Sequence, residues 1–122
     1  MHRRPVGDMG ESVAVDFLRR KGFEILERNY LKPWGEIDIV GVKGGIVRFL
    51  EVKTISRENS AVPMHHQPED LVDRRKLAKL ARTAQLYMEE KGDTREYQID
   101  VVGVVLSHKT RTARCRLLEQ AL

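Results

Sequence analysis

The sequence predicts one α/β domain over residues 1–122, a mixed central β-sheet flanked by helices in the order α-β-β-β-α-β-β. Three observations carry this prediction. Two segments of helical period alternate with runs of strand-like segments. An adjacent glycine pair, Gly44-Gly45, joins two of the strands as a hairpin. Both faces of that hairpin are apolar near its turn, so helices are expected to cover it on both sides.

Each element has its own local signal. Residues 8–21 form the first helix, with Ala14, Phe17, Leu18 and Lys21 at helical spacing and Gly22 as the stop. Residues 23–30 read as a strand with Phe23, Ile25 and Glu27 on one face, and Pro33 and Gly35 punctuate the following turn. Residues 36–43 and 46–55 are the hairpin strands. Residues 56–68 hold two prolines, two serines, an asparagine and two histidines, and read as a long loop. Residues 69–91 carry the longest helical pattern, with Leu77, Leu80, Ala81, Ala84 and Met88 on one face and Gly92 as the end. Residues 97–106 and 112–118 complete the sheet. The last alternates Arg114 and Arg116 with Ala113, Cys115 and Leu117, as an edge strand does.

Composition sets the outer bounds. Hydrophobic residues make up 41% and charged residues 33%, the profile of a globular domain rather than a disordered one. No apolar run approaches a membrane span, and residues 1–8 lack the apolar core of a secretory signal. A single cysteine, Cys115, excludes an internal disulfide and a multi-cysteine zinc site. These features predict a cytoplasmic protein. The net charge of +4 permits a polyanionic partner without requiring one.

The hairpin carries the chemistry. With a two-residue Gly-Gly loop, Lys43 pairs with Ile46, Val40 with Phe49, Asp38 with Glu51 and Glu36 with Lys53. A three-residue loop would put Asp38 opposite Leu50 and the apolar sets out of phase, so the first register is preferred. Val42, Val40, Asp38 and Glu36 then share a face with Val47, Phe49, Glu51 and Lys53; Ile37, Ile39, Leu50 and Val52 form the other. Two carboxylates opposed on a ladder repel unless one is protonated or a cation lies between them. A magnesium ion suits such oxygen donors and keeps waters free for phosphate. Lys53, on the same face, would offset charge on that phosphate or help deprotonate a water.

The run Gly35-Glu36-Ile37-Asp38, followed by Glu51-Val52-Lys53, resembles the PD-(D/E)XK nuclease signature. More narrowly, the chain is similar to the small bacterial YraN family, related to the archaeal Holliday-junction resolvases. Gly10-Glu11 with Ala14 and Leu18, Asn29, Glu51-Val52-Lys53-Thr54, Lys76 and Asp100-Val101-Val102 extend the match over nearly the whole chain. The resemblance implies a restriction-endonuclease-like fold and Mg²⁺- or Mn²⁺-dependent hydrolysis of DNA, including branched DNA such as Holliday junctions, by a homodimer. It implies Asp38 and Glu51 as metal ligands, the Val52 carbonyl as a third, Lys53 as the catalytic lysine and Glu11 as a further acid at the metal. Two positions depart from the family pattern: Ile55 replaces a basic residue, and Tyr97-Gln98-Ile99-Asp100 replaces an Arg-Phe-Asp run. Both bear on substrate contacts rather than on the metal.

Plainer readings stand beside these. Asp38, Glu51 and Lys53 would also make a surface salt-bridge cluster. Asp8 and Glu11 fit a capping box, although Glu11 shares a helix face with Ala14 and Leu18. Glu36 is a secondary member of the acid face and a partner for Lys53. Arg74, Arg75, Lys76, Lys79 and Arg82 fit a solvated helix face or a phosphate contact, with Arg75, Lys76 and Lys79 as the candidate nucleic-acid ligands. Adjacent His65 and His66 make poor joint metal ligands and are expected on a substrate-contacting loop. Asp100 is expected to hold a structural hydrogen bond or support the site. Trp34 and Tyr30 are expected to pack in the core, with base stacking as the alternative. No nucleophile motif organises a Ser-His-Asp triad. The competing functions are a catalytically silent nucleic-acid-binding module and a protein-interaction scaffold.

Overall fold

The computed structural model describes residues 5–58 and 67–122. Helix α1 (Pro5–Arg20) leads into strands β1 (Glu24–Lys32), β2 (Gly35–Lys43) and β3 (Ile46–Ser56). A 3₁₀ turn (Pro68–Leu71) precedes helix α2 (Arg74–Lys91), and strands β4 (Tyr97–Ser107) and β5 (Thr112–Leu118) follow. The five strands form one sheet in chain order. β3 and β4 run parallel and the other neighbours antiparallel, so the sheet is mixed as expected. The parallel step requires a crossover, and α2 lies within it.

The helices cover opposite faces of the sheet. Ala14, Val15 and Leu18 of α1 pack with Ile39, Leu50 and Val102. Leu77, Leu80, Ala84 and Met88 of α2 pack with Val40, Phe49 and Val101. Tyr30, Phe49 and Tyr87 interlock edge to face in this second core, with ring centroids 5.1 and 5.4 Å apart. This two-sided burial explains why β3 and β4 are apolar on both faces. The fold is the restriction-endonuclease-like α/β arrangement that the sequence implied.

Gly44 and Gly45 adopt φ of 61° and 76°, the positive angles of a primed two-residue turn. Lys43 pairs with Ile46 and Val40 with Phe49, so the preferred register holds. The ladder ends at Ile39–Leu50, short of the expected Asp38–Glu51 and Glu36–Lys53 pairs. Beyond it a side chain takes over from the backbone: Asp38 Oδ2 accepts a hydrogen bond from the Val52 N–H at 2.9 Å.

Several local expectations need correction. α1 begins at Pro5, so Asp8 lies within its first turn and is not the N-cap of a capping box. Ile37 joins the α2-side core rather than sharing a face with Ile39. The cause lies in β1, where Asn29 sits between the Arg28–Ile39 and Tyr30–Ile37 pairs with φ of 53°. Asparagine tolerates this left-handed conformation, and the kink flips the facing of both strands around Asp38. A second irregularity, between Ile25 and Glu27, breaks the alternation expected along β1.

α2 starts at Arg74 rather than at position 69. Asp73 interrupts the helical run in an extended conformation, and its carboxylate caps the Arg75 N–H at 2.7 Å. Trp34 is 48% exposed at the β1–β2 turn, against the expectation that it packs in the core. Its position explains the difference: Trp34 is one of the two residues of the tight turn between Lys32 and Gly35, outside the paired positions whose side chains fill the core. β3 runs to Ser56, beyond the expected strand end, and Pro68 opens the 3₁₀ turn, while residues 59–66 of the expected loop, including His65 and His66, lie outside the described residues.

Candidate metal and phosphodiester site

The acidic end of the β2–β3 hairpin is built from strand geometry. Glu51 follows the last ladder pair on β3 and faces α2, where Lys76 Nζ lies 2.6 Å from its Oε1. The residue is only 5% exposed. Asp38 sits at the kink of β2, tied to the Val52 N–H. Lys53 alternates with Val52 and so lies on the Glu51 side of β3; it pairs with Gly103 of β4, which carries no side chain to crowd it. Glu36, Glu51, Lys76 and Lys79 line one cleft of about 280 Å³ together with Leu31 and Leu80.

Electrostatics single out Glu51. Burial raises its pKa, the nearby Asp38 charge raises it further, and Lys76 only partly offsets these, leaving it pushed up to about 7. On Lys76, burial works toward a lower pKa, but the Glu51 contact outweighs it and holds the ammonium above its ordinary value. A buried acid beside a second acid favours any added positive charge at this point. Because the folded pKa of Glu51 lies above its unfolded value, its folded state binds the extra proton, and its contribution to stability is lost as pH rises from about 4.5 to about 7. Glu51→Gln should therefore gain stability over wild type by on the order of 1–3 kcal/mol between pH 5 and pH 8. Urea unfolding of both proteins at the two pH values measures this. A difference that stays flat would mean that Glu51 titrates as an ordinary surface carboxylate.

Two glycines of the quoted motifs acquire physical reasons here. A Cβ on Gly10 would collide with the Thr54 side chain, so the glycine lets α1 approach β3 closely. A Cβ on Gly35 would collide with Thr83, which α2 presents to the start of β2.

The expected site residues do not all converge. Glu11 is buried as its helix face required, but on the α1 side, where Arg28 Nε lies 3.5 Å from its Oε1. Among the described residues, no three His, Cys, Asp or Glu side chains come together as a metal cluster. Asp38 and Glu51 are the two carboxylates that come together here, with the Asp38 charge acting on Glu51. A carboxylate pair is chemistry a magnesium ion could use, since it commonly binds through one or two carboxylates and completes its shell with water and phosphate. Lys79 lines the cleft and Arg75 is exposed one turn away, while Lys76, expected to meet phosphate, holds Glu51 instead.

Sequence reasoning missed Arg48. Its Nη1 lies 3.0 Å from both Asp100 Oδ2 and Glu119 Oε1. Fully buried Asp100 also accepts from Gln98 Nε2 at 2.8 Å and the Gln120 N–H at 2.9 Å, which gives it the structural role expected of it. The available signal was an arginine and an aspartate each placed mid-strand among apolar residues.

The described helices include none long and apolar enough to cross a membrane. Residues 10–104 match the model of the uncharacterised protein family UPF0102. A UPF0102 protein of Moorella thermoacetica is 38% identical over 122 residues, covering 99% of this chain and 98% of its own. One from Dictyoglomus thermophilum is 36% identical over 108 residues, covering 88% and 87% respectively. One from Campylobacter jejuni is 36% identical over 98 residues, covering 80% and 81%. Matches of this length and identity show that the chain belongs to the uncharacterised protein family UPF0102, the YraN family its motifs resemble.

Proposed function

We propose that this protein is a Mg²⁺- or Mn²⁺-dependent endonuclease that hydrolyses phosphodiester bonds in DNA, with branched DNA among its substrates. The observation that carries the proposal is the buried Glu51 carboxylate beside Asp38, where β2 and β3 separate, with Lys53 on the same side. Asp38 and Glu51 would hold the ion, with the Val52 carbonyl as a third donor. Glu11 would join only by exchanging Arg28 for the ion. A bound divalent ion supplies Lewis acidity toward the phosphate and lowers the pKa of water.

The chain's own groups do the rest. Lys53 offsets negative charge that builds on the phosphate as water attacks phosphorus and the ester P–O bond breaks. Glu51 and Asp38, fixed by strand and hydrogen bond, keep the reacting groups from drifting. Lys79, Arg75 and, once released from Glu51, Lys76 draw in the DNA backbone. The single Cys115 fits action in the reducing cytoplasm.

The Lys76–Glu51 ion pair favours one second reading, a DNA-binding module in which lysine alone neutralises the acid. Calorimetric titration with Mn²⁺ separates the two. Wild type should bind the ion, and Asp38→Asn and Glu51→Gln should each weaken it at least about tenfold, since each removes one of two charged donors. Equal binding by wild type and both variants would place the ion elsewhere and sink the proposed site.

A further inference from the structure

We propose that the β1–β2 turn is an aromatic wedge that stacks on an unpaired DNA base next to the cleft; this rests on the nucleic-acid reading above. Lys32 pairs with Gly35, leaving Pro33-Trp34 as a two-residue tip. Trp34 is 48% exposed and Leu31 is 56% exposed. The chain has one tryptophan, and it stands here rather than in either core.

The tip is fixed relative to the acids. Gly35 lies so close to Thr83 that no side chain fits between them, which pins the turn against α2. Leu31, Pro33 and Gly35 then line the cleft that holds Glu51. Lys32, Lys76 and Lys79 line it as well, against the acids Glu36 and Glu51. An apolar, aromatic tip beside ammonium groups matches a nucleotide, whose base stacks while its phosphate takes the charge. Bases inside a duplex already stack on one another, so only a base outside the stack can lie on Trp34. The substrate class this selects is DNA with unpaired or splayed bases near the bond to be cut, such as a flap, overhang or junction.

Because Trp34 is the sole tryptophan, its own emission reports the contact. The full chain would be titrated, with EDTA present to prevent hydrolysis, with a blunt duplex, the same duplex bearing a thymidine overhang, and an oligothymidylate. Quenching by the overhang and the oligothymidylate, but not by the blunt duplex, is expected. Trp34→Ala should lose about tenfold in affinity for the overhang, with blunt-duplex binding unchanged and Trp34→Phe retaining most of the affinity. Tight overhang binding with unchanged emission and an unimpaired Trp34→Ala would overturn the wedge while leaving the nuclease reading intact. Equal quenching by the blunt duplex would overturn the selectivity for unpaired bases. A dimer that Trp34→Ala dissociates, without effect on DNA binding, would assign the patch to a second copy and reject the proposal. Absence of binding to every DNA would remove the nucleic-acid reading itself, and the wedge with it.

Discussion

Lys53→Ala should cut DNA about a hundred- to a thousandfold more slowly than wild type while binding Mn²⁺ unchanged, whereas Glu51→Gln should lose both properties. The two residues lie two positions apart on one side of β3, yet their chemistry differs. Glu51 is a buried carboxylate whose charge is costly without a cation, so removing that charge removes the reason for an ion to bind. Lys53 donates no electron pair to a metal in its charged form. In the proposed reaction its contribution falls in the transition state, where charge on the phosphate oxygens grows, so a rate effect without a binding effect is expected. Single-turnover cleavage of a labelled substrate, run beside the Mn²⁺ titration, reads the split. A Lys53→Ala variant that cuts at the wild-type rate would remove lysine from the chemistry.

Asp100→Ala should destabilise the fold by about 3–5 kcal/mol, the range for removing one partner of a buried ion pair. Asp100 is 0% exposed and accepts hydrogen bonds from Arg48, Gln98 and the Gln120 N–H. Its loss strands a guanidinium inside the sheet's α1 face, leaving Glu119 as the remaining acid on it. Glu119 is a weaker substitute because its side chain is half in solvent, where screening reduces its pull. The C-terminal segment should loosen as well, since Gln120 loses its acceptor beside the Ala121 N–H to Ile99 backbone bond. Urea unfolding gives the free energy. A cost under about 1 kcal/mol would show that Arg48 finds water or Glu119 without difficulty. The double variant Arg48→Met with Asp100→Leu should recover much of the loss, because it leaves no charge behind.

What the sequence made legible follows from where its signals are local. Gly44-Gly45 dictated a primed turn, and alternation then carried the register outward to Val40–Phe49. Apolar residues on both faces of the hairpin required two helical layers, and α1 and α2 supply them. The acids after the apolar stretch were visible for the same reason: they break a pattern.

The misses come from places where one residue overrides the period. Asn29 in a left-handed conformation flips Ile37 onto the α2 face and turns Asp38 into a side-chain clamp on Val52. Simple alternation contains no term for this. Asp73 stops the helical pattern of residues 69–91 with its own carboxylate. The pairing of Lys76 with Glu51 joins residues 25 positions apart across a crossover, so no local window shows it. General preference for burial puts Trp34 in the core, but its place in the tight turn leaves it 48% exposed.

Metal-dependent cleavage tests the central claim most directly. Labelled linear, nicked, flapped and four-way DNAs would be incubated with wild type, Glu51→Ala and Lys53→Ala in Mg²⁺ or Mn²⁺. The account predicts that wild type cuts at least one of them, only with metal, that Glu51→Ala fails to cut it and that Lys53→Ala cuts it about a hundred- to a thousandfold more slowly. No cutting of any DNA by wild type, or cutting at the wild-type rate by both variants, would contradict the assignment of Asp38, Glu51 and Lys53 as a nuclease site.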